Sequence, residues 1–327
     1  MKKMLVFSNG EKIGDGIIKL PLLNEIHRRF PSHRLIWVTN LGPTVYNHEL
    51  KNIAQKYIYQ IIEKVNLKPF FWQNISSEYN FDKEHYDYIF DTQKAVYRSL
   101  ALKRIKCNHF ISATANGIFS TIKNDTKKIN RNYYLDDLLN LLDLIKFKER
   151  ETNFKVSIPI FLEKQLSKLF NNKKKYIGIA PGAGEINKIW PLEKFIAIGK
   201  YYEKKNFKIV LYLGPKETKI RKKLINEFPD SIIPEEILDG FSNIEVVMGS
   251  TKFLSCAISN DSGISHMLST NYCPLIKLFG PKESKKFTPD SKLLQTISSS
   301  DYNSKDVSVI PVDRVVFEID NILKHYV

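Results

Sequence analysis

Asn260-Asp261-Ser262-Gly263-Ile264-Ser265-His266 puts a carboxylate, hydroxyls, a glycine and an imidazole within seven residues. The mostly apolar run Leu254–Ser259 precedes it, and Pro274–Phe279, ending in Gly280-Pro281, follows. The order reads as strand, polar turn, short helix, strand. Asp261 or Ser262 can cap the helix. Gly263 lets a ligand come close to the first helical turn, where unpaired N–H groups and a partial positive charge suit an anion. His266 lies one turn on, near the face of Ser262 and Gly263. Two readings stand for this segment: a site for a phosphate or nucleotide in an α/β domain, or an ordinary capped helix.

Two other segments carry candidate chemistry. After the first apolar run, Ser8-Asn-Gly-Glu-Lys-Ile-Gly14-Asp15-Gly16 leads into a helix-like stretch. Strand-end loops of doubly wound sheets point into the ligand crevice. Asp15, between two glycines, is then either the helix N-cap or a carboxylate placed as a general base. Further on, Ala180-Pro-Gly182-Ala183-Gly184-Glu-Ile-Asn-Lys188-Ile-Trp190-Pro191 sets two glycines and a lysine after a strand. Gly182 and Gly184 can bring backbone N–H groups to phosphate oxygens, and Lys188 can add a charge. Position 187 is Asn and no Gly-Lys-Ser/Thr follows, so neither a dinucleotide fingerprint nor a P-loop is present. A plain strand-to-helix loop is the alternative. Asp91, ending Tyr86-Asp-Tyr-Ile-Phe-Asp91, sits at the cleft side of a strand but suits a structural role, as does His109 beside an apolar strand. No Asp-x-Asp pair occurs, so no metal site for a nucleotide-sugar is indicated.

These loops need elements to hold them. Strand-like and helix-like segments alternate from Lys3–Ser8 and Gly16–Phe30 onward, and a polar stretch, Lys146–Asn153, interrupts the pattern before it restarts at Tyr176. That alternation predicts an α/β chain with two doubly wound parallel sheets and a cleft between them. The expected division is 1–155, a connection over 156–175, a second domain over 176–310, and a terminal helix over 311–327 that packs back on the first domain. At 327 residues and 43% apolar content the chain can build two cores. No apolar run is long enough to span a bilayer. Met1–Ser8 runs out too early for a signal peptide, so a cytoplasmic protein is expected. Cys107, Cys256 and Cys273 lack metal spacing and are expected as buried thiols. The formal charge of +15 implies anionic partners: nucleic acid, an anionic membrane face or a phosphorylated substrate. Lysine runs such as Lys173–Lys175 suit solvated surface, and no nucleic-acid-binding motif is present, so nucleic acid is not expected.

Taken in order, these motifs resemble the heptosyltransferase family of glycosyltransferases, family 9. The resemblance rests on Ile13-Gly14-Asp15 with Leu20-Pro21-Leu22, and on Arg28-Arg29-Phe30-Pro31 before Leu35-Ile-Trp-Val38. It extends to Tyr86–Gln93 with Arg98-Ser99, to Pro181-Gly-Ala183 with Lys188-Ile-Trp-Pro191 and Phe195, and to Asn260–Gly263 with His266 and Phe279-Gly-Pro281. It implies a GT-B fold, in which two Rossmann-like domains face an interdomain cleft. It also implies inverting sugar transfer without a cofactor, from a nucleotide-activated donor such as ADP-heptose to a lipopolysaccharide core or related glycan. The N-terminal domain would hold the acceptor and the C-terminal domain the donor. Asp15 matches the family's base and Lys188 its phosphate-contacting lysine. Asp261, Ser262 and Gly263 match its donor turn, with Gly182, Ala183, Gly184 and His266 beside the donor. Gly14, Gly16, Asp91 and Lys282 would lie toward the acceptor or cleft. Lys282 stands where the family usually has Thr after Phe-Gly-Pro. The basic charge fits a phosphorylated glycolipid acceptor and peripheral contact with an anionic inner membrane. The alternatives are another GT-B enzyme, namely a sugar-nucleotide epimerase or a protein glycosyltransferase, or a non-catalytic nucleotide-sugar-binding protein.

Overall fold

Met4–Phe7, Leu35–Val38 and Ile177–Ala180 are short runs without helical periodicity, and each becomes the centre of a strand buried on both faces. The computed structural model describes residues 1–70, 72, 80–122, 133–151, 154–171, 173–214, 217–280 and 293–326. The chain divides into two compact units, Met1–Phe154 and Lys155–Val327.

The first unit runs β1 (Lys2–Ser8), α1 (Ile13–Arg29), β2 (His33–Thr39), α2 (Lys51–Ala54), β3 (Gln60–Ile62), β4 (Tyr86–Asp91), α3 (Val96–Leu102), β5 (Cys107–Ser112) and α4 (Tyr134–Ile145). Its sheet is parallel throughout, in the order β3-β2-β1-β4-β5. The strand order reverses between β1 and β4, so the loops after Ser8 and Asp91 flank the switch point where such sheets take ligands. Gly10 makes the first of these loops possible. Its φ is +111°, and a Cβ there would meet Gly42 Cα at 2.8 Å. The far end of α1 is tied down by a buried charge network. Arg29 Nε donates to Glu25 Oε2 at 2.8 Å and Nη1 to Asp143 Oδ1 at 2.6 Å, joining α1 to α4.

The second unit runs α5 (Ile160–Leu169), β6 (Lys175–Ala180), α6 (Leu192–Lys204), β7 (Phe207–Leu211), α7 (Thr218–Glu227), α8 (Pro234–Ile237), α9 (Asn243–Ser250), β8 (Cys256–Asn260), α10 (Gly263–Leu268), β9 (Leu275–Phe279), β10 (Leu294–Ser298) and α11 (Val312–Tyr326). Its parallel order is β10-β9-β8-β6-β7, with the reversal between β6 and β8. Phe195, Ile198 and Tyr202 from α6, with Trp190 just ahead of it, join the core cluster of the sheet.

Two expectations about the second half need correction. The stretch 156–175 is part of the second unit rather than a free connection, because Ile158 and Leu166 bury their ends against Gly249 of α9. The terminal helix packs on its own unit, where α11 lies against α6, β8 and β9 and puts Val315, Ile319 and Ile322 into the core. Its apolar stripe is thereby covered. Cys256 and Cys273 are buried free thiols, and Cys107 is half-buried. Among the described residues no helix is long and apolar enough to cross a membrane.

Candidate active site

At the switch point of the second sheet, one side chain fixes the geometry. Asn260 ends β8 with its amide fully buried. Its Nδ2 donates to Pro181 O at 2.7 Å, and its Oδ1 accepts the Trp190 N–H at 3.1 Å. Both ends of the loop after β6 are thus clamped to the end of β8. Trp190 is anchored a second time, its Nε1 donating to Ile310 O at 3.0 Å. Gly280 supports the loop from below, since a Cβ there would meet Asn187 O at 2.9 Å.

The clamp brings Lys188 to Asp261. Lys188 Nζ lies 2.9 Å from Asp261 Oδ2, and a second cation, Lys277 Nζ, lies 3.2 Å from Oδ1. Lys277 comes from the middle of β9 and is 2% exposed. Burial opposes charge on Asp261, but Lys277 first and then Lys188 outweigh it and hold the carboxyl below its ordinary 3.8. Burial pushes Lys277 down to about 8 against the pull of Asp261, so it is charged at neutral pH. Burial, then the charge of Lys277, drives His266 down to about 3, and its imidazole is neutral. Ser262 caps α10, where Ser265 Oγ accepts the Ser262 N–H at 3.3 Å and donates to Ser262 O at 2.7 Å. With six residues, α10 builds only part of a helix dipole, so the positive potential comes chiefly from the two lysines.

The glycines of this site divide in two. A Cβ on Gly182 would stand 2.3 Å from Glu217 Oε1, and one on Gly214 would stand 2.6 Å from Oε2. Those glycines make room for the Glu217 carboxylate beside the loop. Gly184 and Gly263 are exposed, and among the described residues a Cβ on either meets nothing within 4 Å. Ala183, between Gly182 and Gly184 in sequence, is half-buried.

In the first unit the anticipated residues behave less uniformly. Helix α1 begins at Ile13 with Lys12 as N-cap, so Gly14 and Asp15 lie in the first turn and Asp15 is not the cap. The Asp15 carboxylate is exposed. Beneath it lies a pair the motifs did not reveal: buried Lys19 Nζ donates to buried Glu11 Oε1 at 2.9 Å. Burial lowers the pKa of Lys19, but Glu11, Tyr134 and Asp15 together raise it above the ordinary value. Gly16 is a packing residue rather than a ligand contact. A Cβ there would strike Val45 Cγ2 at 2.3 Å, and its carbonyl accepts the Tyr46 O–H at 2.8 Å. Asp91 has the structural role that its own segment suggested, rather than the place toward the acceptor that the resemblance implied. It is 0% exposed, its Oδ2 accepts Ser99 Oγ at 2.6 Å and Ser112 Oγ at 2.9 Å, and its Oδ1 accepts the Gln93 N–H at 2.9 Å. It joins β4, α3 and β5 and leaves no oxygen for substrate. Lys282 lies outside the described residues.

With this geometry in place, the comparisons with known proteins are specific. The family model for glycosyltransferase family 9 (heptosyltransferase) matches residues 80–310. The chain belongs to glycosyltransferase family 9. Similar structures include a family 9 glycosyl transferase from Veillonella parvula DSM 2008, at 16% identity and a TM-score of 0.72 over 99% of this chain and 97% of that one. The E. coli ADP-heptose lps heptosyltransferase II gives 14%, 0.68, 99% and 99%. The E. coli heptosyltransferase WaaC with ADP gives 16%, 0.69, 98% and 99%. No curated protein sequence matches. At these identities the structures show the fold, which is GT-B with two Rossmann-like parallel sheets. This family 9 chain is a glycosyltransferase.

Four residues escaped the motif reading: Lys277, Glu217, Glu11 and Lys19. Lys277 and Lys19 did leave a signal, since each is a lone charge inside an apolar run, Leu275–Phe279 and Ile17–Leu23. A lysine in such a run is buried only when paired.

The Asp91 network yields a pH test. Burial raises the Asp91 carboxyl to about 6 from 3.8, so the folded state binds its proton more tightly than the unfolded chain. Its contribution favours the fold fully below 3.8 and is lost as the pH rises through about 6. The stability of the wild type relative to Asp91→Asn therefore falls across that window, by about 1.4 kcal/mol per unit of pKa difference. Denaturant melts of both proteins at either end of the window measure it. A difference that does not change with pH would show that the Asp91 carboxyl has the same pKa in the folded and the unfolded protein.

Proposed function

We propose that this family 9 glycosyltransferase is an inverting, metal-independent enzyme that transfers a heptose from ADP-heptose to a lipopolysaccharide core or a related, phosphorylated cell-surface glycan. The observation that carries the donor half is the Lys188–Asp261–Lys277 cluster at the switch point of the second sheet, beside the open backbone at Gly184 and Gly263. Two lysines against one aspartate leave one net positive charge there, His266 being neutral. A departing diphosphate gains negative charge as the glycosidic bond breaks. Lys188 and the N–H groups of the loop after β6 and of the turn at Ser262–Gly263 would offset that charge where it develops. The sugar and the adenine are taken from the family and from ADP in a structurally similar heptosyltransferase. No cofactor is needed by this chemistry, since nucleotide-sugar and acceptor supply every atom exchanged.

In the acceptor half, Asp15 takes the proton of the attacking hydroxyl as its oxygen bonds to the anomeric carbon. Attack opposite the leaving diphosphate inverts the configuration. Such a base must be ionised and reachable, and Asp15 is exposed in the first turn of α1. General-base assistance contributes on the order of 10²–10⁴-fold. Asp15→Ala is therefore expected to lose transfer from ADP-heptose to a phosphorylated lipopolysaccharide-core acceptor by that factor while keeping its melting temperature. Full transfer by the folded variant removes Asp15 from this role. Product analysis with labelled donor also separates transfer from epimerisation, which would change the donor without an acceptor.

Gly263 tests the donor half. Among the described residues nothing lies within 4 Å of a Cβ built on Gly263, so Gly263→Val should keep stability within about 0.5 kcal/mol. The same side chain would project where the diphosphate is proposed to lie, and ADP binding should weaken. Unchanged ADP affinity would move the donor away from this turn.

The charge of +15 supports a peripheral, cytoplasmic-face association with an anionic membrane carrying the acceptor. The chain should bind vesicles of anionic lipid at low salt and release them as salt rises. Equal binding to neutral vesicles would argue against an electrostatic attachment.

A further inference from the structure

Lys277 is the charged residue that the proposed donor contacts do not use. A lysine midway along a strand covered on both faces is seldom fully buried unless paired. Its partner is Asp261, which it shares with Lys188, one lysine on each carboxylate oxygen. The two cations differ in freedom. Lys277 is 2% exposed and hangs from β9, which is paired on both sides, to β8 and β10. The Lys188 side chain keeps 13% of its accessibility, ends the short turn Ile186–Lys188, and also lies 3.8 Å from Glu185, whose side chain is 53% exposed. Lys188 can therefore turn outward, and Lys277 cannot.

We infer that Lys277 is a positioning residue for the donor: it keeps the Asp261 carboxylate paired when Lys188 moves from Asp261 to the diphosphate of the incoming nucleotide-sugar. The inference rests on the donor reading given above. A lone lysine neutralising a buried carboxylate cannot leave without stranding that charge, and a stranded buried charge is strongly destabilising. A second lysine on the other oxygen removes the obstacle. His266 cannot serve instead, because burial and the neighbouring cations keep it neutral, at about 3. The charged groups that bear on Lys277 are Asp261 and Lys188, with His266 beside them. Lys277 thus acts on donor affinity through Asp261 and Lys188 and does not itself touch the donor.

Calorimetric titration of ADP into the full chain tests this with three proteins: wild type, Lys277→Met, and Asp261→Asn combined with Lys277→Met. In Lys277→Met the pair between Lys188 and Asp261 remains, but Lys188 can leave only by stranding Asp261, so ADP should bind about tenfold more weakly or worse. The double variant returns the cluster to one net positive charge and frees Lys188, so affinity should recover to within about threefold of wild type. Recovery on removing a second residue is not what a merely structural lysine would give. Where wild type binds ADP and Lys277→Met binds it equally well, the inference falls and the donor reading stands. A loss that persists in the double variant likewise overturns it. Wild type that binds no nucleoside diphosphate overturns both. Should Lys277→Met fail to fold, Asp261→Asn alone is compared with the double variant. Once Asp261 is neutral, removing Lys277 should change ADP affinity by no more than about threefold, and a larger loss would make Lys277 a direct contact, contrary to the inference.

Discussion

A negative charge buried at Asp261 is the constraint around which the second unit is arranged. Asp261 is 7% exposed, and a carboxylate there is tolerable only with cations on it. Breaking a buried pair by deleting one partner costs about 3–5 kcal/mol, so the residues that deliver the partners are structurally required. Lys277 is delivered by the register of β8 with β9, which sets Asn260 opposite Leu278. Lys188 is delivered by the Asn260 clamp on the loop after β6. The register of the sheet, the path of the loop and the geometry of the charged cluster are therefore fixed together.

The first unit solves a similar problem with different chemistry. Glu11 and Lys19 neutralise each other below the exposed Asp15, with Trp37 Nε1 donating to Glu11 Oε2 at 3.4 Å and the Lys19 ammonium 5.9 Å from the Trp37 ring. Asp91 is buried without a cation bonded to it and is met by hydroxyls and an amide, and its raised pKa records the difference. A carboxylate held by lysines stays ionised and marks an electrostatic site. A carboxylate held by hydroxyls drifts toward neutrality and marks a structural joint. The contrast holds although the two stand in similar places, Asp91 ending β4 and Asp261 directly following β8, each beside a switch point.

Much of the fold was legible because parallel sheets write themselves as apolar runs. β1, β2, β4, β5, β6, β7, β8 and β9 all lie on such runs, and α4, α6 and α11 carry clear helical stripes. What was illegible had lost its periodicity. β3 has three residues, β10 is a polar edge strand, and in α9 every residue from Ile244 to Ser250 is buried, which erases the contrast between faces. The turn at Asp261–Gly263 and the lysine at 188 stood in motifs, and the structure brings Lys188 and Asp261 together. Asp91 suited a structural role from its own segment, but the partners that give it that role, the hydroxyls of Ser99 and Ser112, come from elsewhere in the chain, as does the methyl of Val45 that crowds Gly16.

The same distinction separates two kinds of positive charge that a composition count merges. Lys173, Lys174 and Lys175 are exposed, and charges in water are screened beyond a Debye length of about 8 Å at physiological salt. Such lysines steer anions toward the protein but discriminate little among them. Lys188 and Lys277 act where water is scarce, against a single carboxylate and close to open backbone. There the interaction per charge is several times stronger than in bulk solvent, so one net positive charge in a fixed place outweighs many on the surface. The net charge of the chain therefore says that anions are drawn to it. The two lysines fixed on one buried carboxylate are a different feature, which a count cannot tell from the other basic residues.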